Sequence, residues 1–230
     1  MSTSSTSAST PPGRVGMVCF DLGGVIVKHH RAWRDACAAV GLELRPGIED
    51  PALVARRREL TALYHVGRLG CDEFFSALAD ATNALYTRDE VRRLHDAWIY
   101  AEYEGIADVL HDLVRADRAR TGVLSNTNAS HWARVGPAPA GAALPYFPAA
   151  AVLGHRHASH LLGLAKPDPA IYRAFERETG ARGPEILFFD DLPENVAAAA
   201  ALGWRTVLVD HLGDTASQVR LALRRHDLLD

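Results

Sequence analysis

The sequence predicts an α/β fold: a parallel sheet carrying an inserted helical subdomain. Two observations point there. Short apolar runs recur between helix-like stretches, as in a parallel sheet covered on both faces and joined by right-handed crossovers. One interval, between the first two runs, is far too long for a crossover and shows helical periodicity with no convincing strand. The 230 residues fit one large domain or a core with a modest insert. Surface scaling lets roughly 70% of the unfolded chain's surface be hidden, so no disulfide or structural metal is needed to close a core.

Taken in order, residues 1–13 are rich in Ser and Thr and end in Pro11-Pro12-Gly13; they bury too little apolar surface to offset ordering and are expected to be a disordered tail. The run VGMVCF over Val15–Phe20, followed by Gly23-Gly24, predicts the first strand. Residues 29–105, rich in Ala, Leu and Arg, predict the helical insert. Further strands are expected at Thr121–Leu124, Ala149–Leu153, Ile186–Phe189 and Arg205–Val209. Between the later ones, Asp168 caps a helix with Pro169 in its first turn, and Pro193 opens the next. Gly136 to Pro148, with four prolines and two glycines, reads as a surface loop.

Composition narrows the function. The chain is 48% hydrophobic and 23% charged, with a net charge of −3 and a pI near 6.4. Such a balance supplies no general attraction to nucleic acid or anionic lipid. No stretch offers the ~20 apolar residues of a membrane span, and the start has neither a basic leader nor an apolar core. A cytoplasmic protein without nucleic-acid or membrane partners is expected. Cys19, Cys37 and Cys71 are odd in number and form no CxxC pair, against a disulfide framework or thiolate zinc site. Cys37 and Cys71 read as small packing residues.

Sheets of this kind hold ligands beyond the carboxyl ends of their strands. The first strand ends in Asp21, the second in Ser125-Asn126 and the fourth in Asp190-Asp191, while Lys166 lies just upstream of the helix capped by Asp168. The acids would repel one another, and a divalent cation with oxygen ligands, together with the lysine, would offset that. This set suits a phosphoryl group: cation and lysine stabilise its oxygens, Ser125 and backbone N–H groups donate to it, and one carboxylate attacks phosphorus.

Four stretches, FDLGGV at 20–25, LSNTN at 124–128, KPDPAIY at 166–172 and FFDDLPENV at 188–196, resemble the motifs of the haloacid dehalogenase superfamily, in the branch (subfamily IA) with a helical cap after the first motif. Within it the chain looks most like bacterial phosphatases acting on α-D-glucose 1-phosphate, and less like the phosphatase domain of soluble epoxide hydrolases. The resemblance implies a Rossmann-like core over 14–28 and 106–230, strand order 3-2-1-4-5, and an all-helical cap over 29–105. It implies Asp21 as the nucleophile that becomes an aspartyl-phosphate. Mg²⁺ would sit on the Asp21 carboxylate, the Gly23 carbonyl and Asp191, with Asp190 behind or reaching it through water. Ser125 and Asn126 would hold phosphate oxygens, Lys166 would neutralise the attacking carboxylate and the phosphoryl group, and Asn195 would orient the acidic pair.

Where many phosphatases of this superfamily carry a second aspartate, this chain has Gly23. General acid–base help is worth roughly 10² to 10⁴ in rate, so the expectation is either an easy leaving group, such as an anomeric sugar hydroxyl, or a proton relay through His29, His30 or His65. In the cap, His65 and Arg68 are candidates for substrate recognition, while Tyr64 and Trp98 read more readily as core. His155, His157 and His160 read as solvated loop histidines rather than a zinc clamp, since no cysteine or carboxylate lies among them. The expected function is Mg²⁺-dependent hydrolysis of a small phosphorylated metabolite, a sugar phosphate above others. The alternatives are a metal-independent 2-haloacid dehalogenase and a catalytically weak binding or regulatory protein on the same fold. Monomer and homodimer both stay open.

Overall fold

The computed structural model describes residues 13–230, so the expected tail lies outside the described residues except for Gly13. In chain order the elements are β1 (Met17–Phe20), β2 (Val27–His29), α1 (Trp33–Ala39), α2 (Pro51–His65), α3 (Cys71–Asp80), α4 (Arg88–Ala97), β3 (Ile99–Glu102), α5 (Ile106–Ala116) and β4 (Arg120–Ser125). There follow α6 (Ala129–Trp132), β5 (His155–Ala158), α7 (Ser159–Leu162), α8 (Pro169–Thr179), β6 (Ile186–Asp190), α9 (Pro193–Ala201), β7 (Arg205–Leu208) and α10 (Thr215–Arg225).

Five strands form one sheet in the order β5-β4-β1-β6-β7, every neighbouring pair parallel. Counted along the core alone, this is the expected 3-2-1-4-5. The continuous apolar runs follow from burial of both faces. Val18, Phe20, Leu187 and Phe189 pack into one core cluster, while Met17, Cys19, Ile186 and Phe188 pack into another, the two-residue alternation of strands. Asp168 caps α8 as its sequence suggests, its side chain accepting from the Ala170 N–H at 2.8 Å.

The third strand lies elsewhere than expected. Ala149–Val152 is a 3₁₀ turn, and the strand is His155–Ala158. A short apolar run does not distinguish strand from turn by periodicity; here Ala149, Ala150 and Leu153 are apolar because they pack into the core from that turn. The real strand is at the sheet's edge, where polar side chains are tolerated. The histidines are accordingly not in a loop: His155 and His157 are on β5 and His160 on α7. The His157 ring meets Phe175 edge-on at 5.1 Å.

Helices α1–α4 enclose a separate apolar cluster that includes Tyr64, Phe74, Phe75, Tyr86 and Leu94, as in a helical cap. A capping box between Thr87 and Glu90 starts α4, and Arg45 forks onto Glu90. The interval is not free of strands, however. β2 and β3 pair antiparallel at its two ends, Val27 opposite Glu102 and Lys28 opposite Ala101. Strands of three or four residues are too short to imprint a period on the sequence. The three cysteines are free, Cys19 and Cys37 buried. Among the described residues no helix is long and apolar enough to cross a membrane.

Candidate active site

Strand register brings the polar residues to one level. Phe20 pairs with Val123 on one side and with Phe189 on the other, so the chain leaves β1, β4 and β6 together. The Asp21 N–H donates to the Phe189 carbonyl at 2.8 Å, which sets Asp21 beside Asp190. Lys166 enters from the loop before α8 and its side chain is wholly buried, with Nζ 2.9 Å from Asp21 Oδ1 and 2.7 Å from Asp190 Oδ2. Asp21, Asp190 and Asp191, all buried, each offer an oxygen within 4.8 Å of the others. The group opens on a cavity of about 840 Å³ whose lining runs from Asp21, Gly23, Ser125 and Asp191 to residues of α2 and α4.

Charges at this point are held by mutual compensation. Burial pushes the Asp21 carboxyl up to about 7, opposed by Lys166 and reinforced by Asp190. For Lys166, burial favours the neutral amine, but Asp21 and Asp190 together outweigh it and its pKa is raised, so it stays an ammonium. Asp190 has its oxygens fully engaged: by Lys166, by Asn195 Nδ2 at 3.0 Å to each oxygen, and by the Leu192 N–H at 2.9 Å. It is therefore built to position the lysine. Asp191 pairs with Arg31 and lies 3.7 Å from His211 Nδ1. Gly24 has φ +77°, and a Cβ there would stand 2.2 Å from the Asp191 carboxyl carbon, so both backbone and space require glycine. Three carboxylates facing one lysine and one arginine form an oxygen-rich, net-negative set of the kind that holds a hard divalent cation.

The remaining residues singled out in the sequence divide. Ser125 is buried and lines the cavity. Asn126 also lines the cavity, and its side chain is tied to the lysine: its Oδ1 accepts from the Lys166 N–H and its Nδ2 donates to the Lys166 carbonyl, both at 2.8 Å. This reciprocal clamp fixes the lysine's backbone, a use of asparagine that its place in the motif does not disclose. His65 lines the cavity, and burial followed by His160 takes it down to about 4. Tyr64 and Trp98 line it too while belonging to the cap's apolar cluster. Arg68 is exposed and outside the lining; it follows the end of α2, and the structure does not bring it to the site.

His30 stacks on Tyr100 at 4.7 Å, whereas the His29 ring lies against Gly23. A Cβ on Gly23 would be 3.2 Å from His29 Cδ2 and 3.4 Å from Nε2. His29 Nδ1 is 2.9 Å from the His30 carbonyl; a carbonyl only accepts, so Nδ1 carries the proton and Nε2 is left with a lone pair. Burial, then Arg31, lowers the pKa of this imidazole. Arg31 and His211, beside Asp191, and Arg57, in the cavity lining, are residues that sequence reasoning missed.

Comparison with known proteins is consistent with this geometry. A family model described as haloacid dehalogenase-like hydrolase matches residues 15–203. The protein named Phosphatase MT3486 from Mycobacterium tuberculosis (strain CDC 1551 / Oshkosh) is 41% identical over 61 residues, which is 26% of this chain and 28% of that one. Among solved structures, a predicted HAD-like family hydrolase from Porphyromonas gingivalis superposes with a TM-score of 0.71 at 25% identity, covering 92% of this chain and 99% of that one. The HAD family enzyme BT-2542 of Bacteroides thetaiotaomicron, solved as a complex with magnesium and inorganic phosphate, gives a TM-score of 0.68 at 20% identity over 87% and 96% of the two chains.

Proposed function

The chain belongs to the haloacid dehalogenase-like hydrolase family, and from that premise we propose that it hydrolyses small phosphate monoesters through an aspartyl-phosphate on Asp21. The observation that carries the reading is Lys166, buried between Asp21 and Asp190 and within bonding distance of both. In the first step an Asp21 carboxylate oxygen bonds to phosphorus as the ester oxygen departs. Lys166 favours the ionised form of Asp21 and faces the phosphoryl oxygens. Ser125 donates to those oxygens, and Asn126 acts through the lysine's backbone. In the second step water attacks phosphorus, its proton passes to His29 Nε2, and the Asp21–phosphorus bond breaks to return the carboxylate. His29 takes the place left by the missing carboxylate at Gly23, since its ring covers that residue and its lowered pKa keeps it neutral, as a base must be. Asp21, Asp191 and the Gly23 carbonyl would hold Mg²⁺, with Asp190 behind; when bound, the cation supplies positive charge that offsets the carboxylates and the phosphoryl oxygens. The solved relative carrying magnesium and phosphate supports this choice.

For the substrate, the resemblance to glucose 1-phosphate phosphatases favours a sugar phosphate. A neutral His29 is a poor acid, so an anomeric leaving group that departs without a proton fits, and Trp33 and Trp98 in the cavity lining supply aromatic surface for a sugar ring. A panel of phosphorylated metabolites, assayed with and without Mg²⁺, tests the whole reading. Release of phosphate that needs the cation and vanishes in Asp21→Asn is expected. Halide release from 2-haloacids that is insensitive to chelator would replace it with the dehalogenase reading, and tight phosphate binding without turnover would replace it with the regulatory one.

A further inference from the structure

Arg57 is a buried cation in search of an anion. The residue is only 8% exposed, its Nη1 has no hydrogen-bond partner, and among the described residues no carboxylate forms an ion pair with it. Its guanidinium lies 4.8 Å from the centre of the Trp33 ring, which covers one face and leaves the N–H edge unanswered. Burial lowers its pKa, with no carboxylate to restore it. Holding a charge away from water without a partner is unfavourable, and an apolar side chain would fill the same place without that cost.

Its position indicates what would answer the charge. Val54, Arg57, Arg58, Thr61, Ala62 and His65 all line the cavity that holds Asp21, the face of α2 spaced at three and four residues. At one end of this face Ser159 Oγ donates to the His65 carbonyl at 2.5 Å, which ties α2 to the core. Arg57 lies two turns back, about 12 Å along the helix axis, beside Trp33. Trp33, Leu78, Val91, Leu94 and Trp98 add apolar walls to the same cavity.

We propose that Arg57 binds a carboxylate on the leaving group, so that the substrate is the phosphate monoester of a hydroxycarboxylic acid, a sugar acid where the sugar reading holds. This rests on the phosphatase reading and narrows it. One guanidinium matches the single charge and planar oxygen pair of a carboxylate. Arg58 lines the same cavity but is exposed, so the buried charge to be answered is the single one on Arg57, and a neutral hydroxyl would not require a buried cation.

The test uses a homologous series of ω-phosphooxy alkanoates, each paired with its primary amide. For at least one chain length the wild-type protein should prefer the acid by about tenfold or more in kcat/KM, with the difference in KM. Arg57→Gln should bring that ratio to near one, and Arg57→Lys, which keeps the charge but not the fork, should leave an intermediate ratio and serves if the glutamine variant does not fold. A wild-type ratio near one across the series, or a ratio unchanged in both variants, overturns the proposal. Alkanoates lacking the phosphate read the Arg57 site without hydrolysis. If they raise the melting temperature of the wild type and not of Arg57→Gln while no phosphate ester is turned over, the carboxylate site stands and the hydrolase reading falls. If neither the shift nor the preference is seen, the carboxylate site falls.

Discussion

Replacing Lys166 by methionine keeps the volume and removes the charge. The structure sets the scale of the effect. The Lys166 and Asp190 side chains have no solvent exposure, and Asp21 has 10%, so water does little to screen the loss. Taking one partner from a buried ion pair costs about 3–5 kcal/mol, because the remaining charges are left uncompensated. Proton uptake relieves part of this. Asp21 already titrates at about 7 with the lysine present, and without it moves higher, so the carboxyl becomes neutral at and below neutral pH. The folded variant then holds a proton that the unfolded chain releases near 3.9, and its stability falls as pH rises through and above neutrality. Urea unfolding at several pH values should therefore show a deficit that grows between mildly acidic and mildly alkaline solution. Turnover should drop by about 10² to 10³, the usual effect of removing one preorganised electrostatic group. A variant within 1 kcal/mol of wild type (roughly the weak-pair limit) that keeps full Mg²⁺-dependent activity would refute the role given to Lys166.

Three further outcomes follow from the same geometry. Gly24→Ala should abolish cation-dependent activity and cost at least about 1–2 kcal/mol in chemical unfolding, since the positive φ alone carries that penalty and the new Cβ would strike the Asp191 carboxylate; near-normal cation affinity by calorimetry would contradict it. His29→Gln should slow the second step by about 10² or more and let phosphoenzyme accumulate in rapid-quench experiments, with partial recovery in the double variant Gly23→Asp, His29→Gln; an unchanged steady-state level of phosphoenzyme would count against His29. Burial holds His131 down at about 3 and His65 at about 4, whereas in the unfolded chain both titrate near 6.5. Between those limits only the unfolded state binds the protons, so stability should fall as pH drops from about 6.5 towards 4, by up to about 1.4 kcal/mol per pH unit for each histidine; denaturation midpoints flat over that range would contradict it.

How far the site could be read from the chain depended on whether its signal was local. Asp21, Ser125, Asp190, Asp191 and Lys166 stand at strand ends or a helix entry, where short motifs carry both the turn and the chemistry, and they converge once the strands are in register. Arg31 was not legible because its meaning lies in Asp191, 160 residues away. Arg57 sits in the run Arg56-Arg57-Arg58, which reads as a solvated charged stretch; only the phase of α2 turns its middle member inward. For Asn126 the motif shows that a polar side chain is needed, and only the fold shows its two bonds to the Lys166 backbone. The misplaced third strand has a related cause: at a sheet edge polarity no longer marks a strand, and the apolar turn beside it gave the stronger pattern.

Covalent capture at Asp21 is the most direct test of the account. The protein is mixed with a turned-over phosphate ester and Mg²⁺ in heavy-oxygen water, quenched in acid within one turnover, digested, and the peptide containing Phe20-Asp21-Leu22 is weighed. A phosphoryl adduct on Asp21 that is absent from Asp21→Asn, with heavy oxygen in the released phosphate and none in the Asp21 carboxylate, is the predicted result. Turnover that proceeds with no adduct at Asp21, or that survives in Asp21→Asn, would contradict the mechanism.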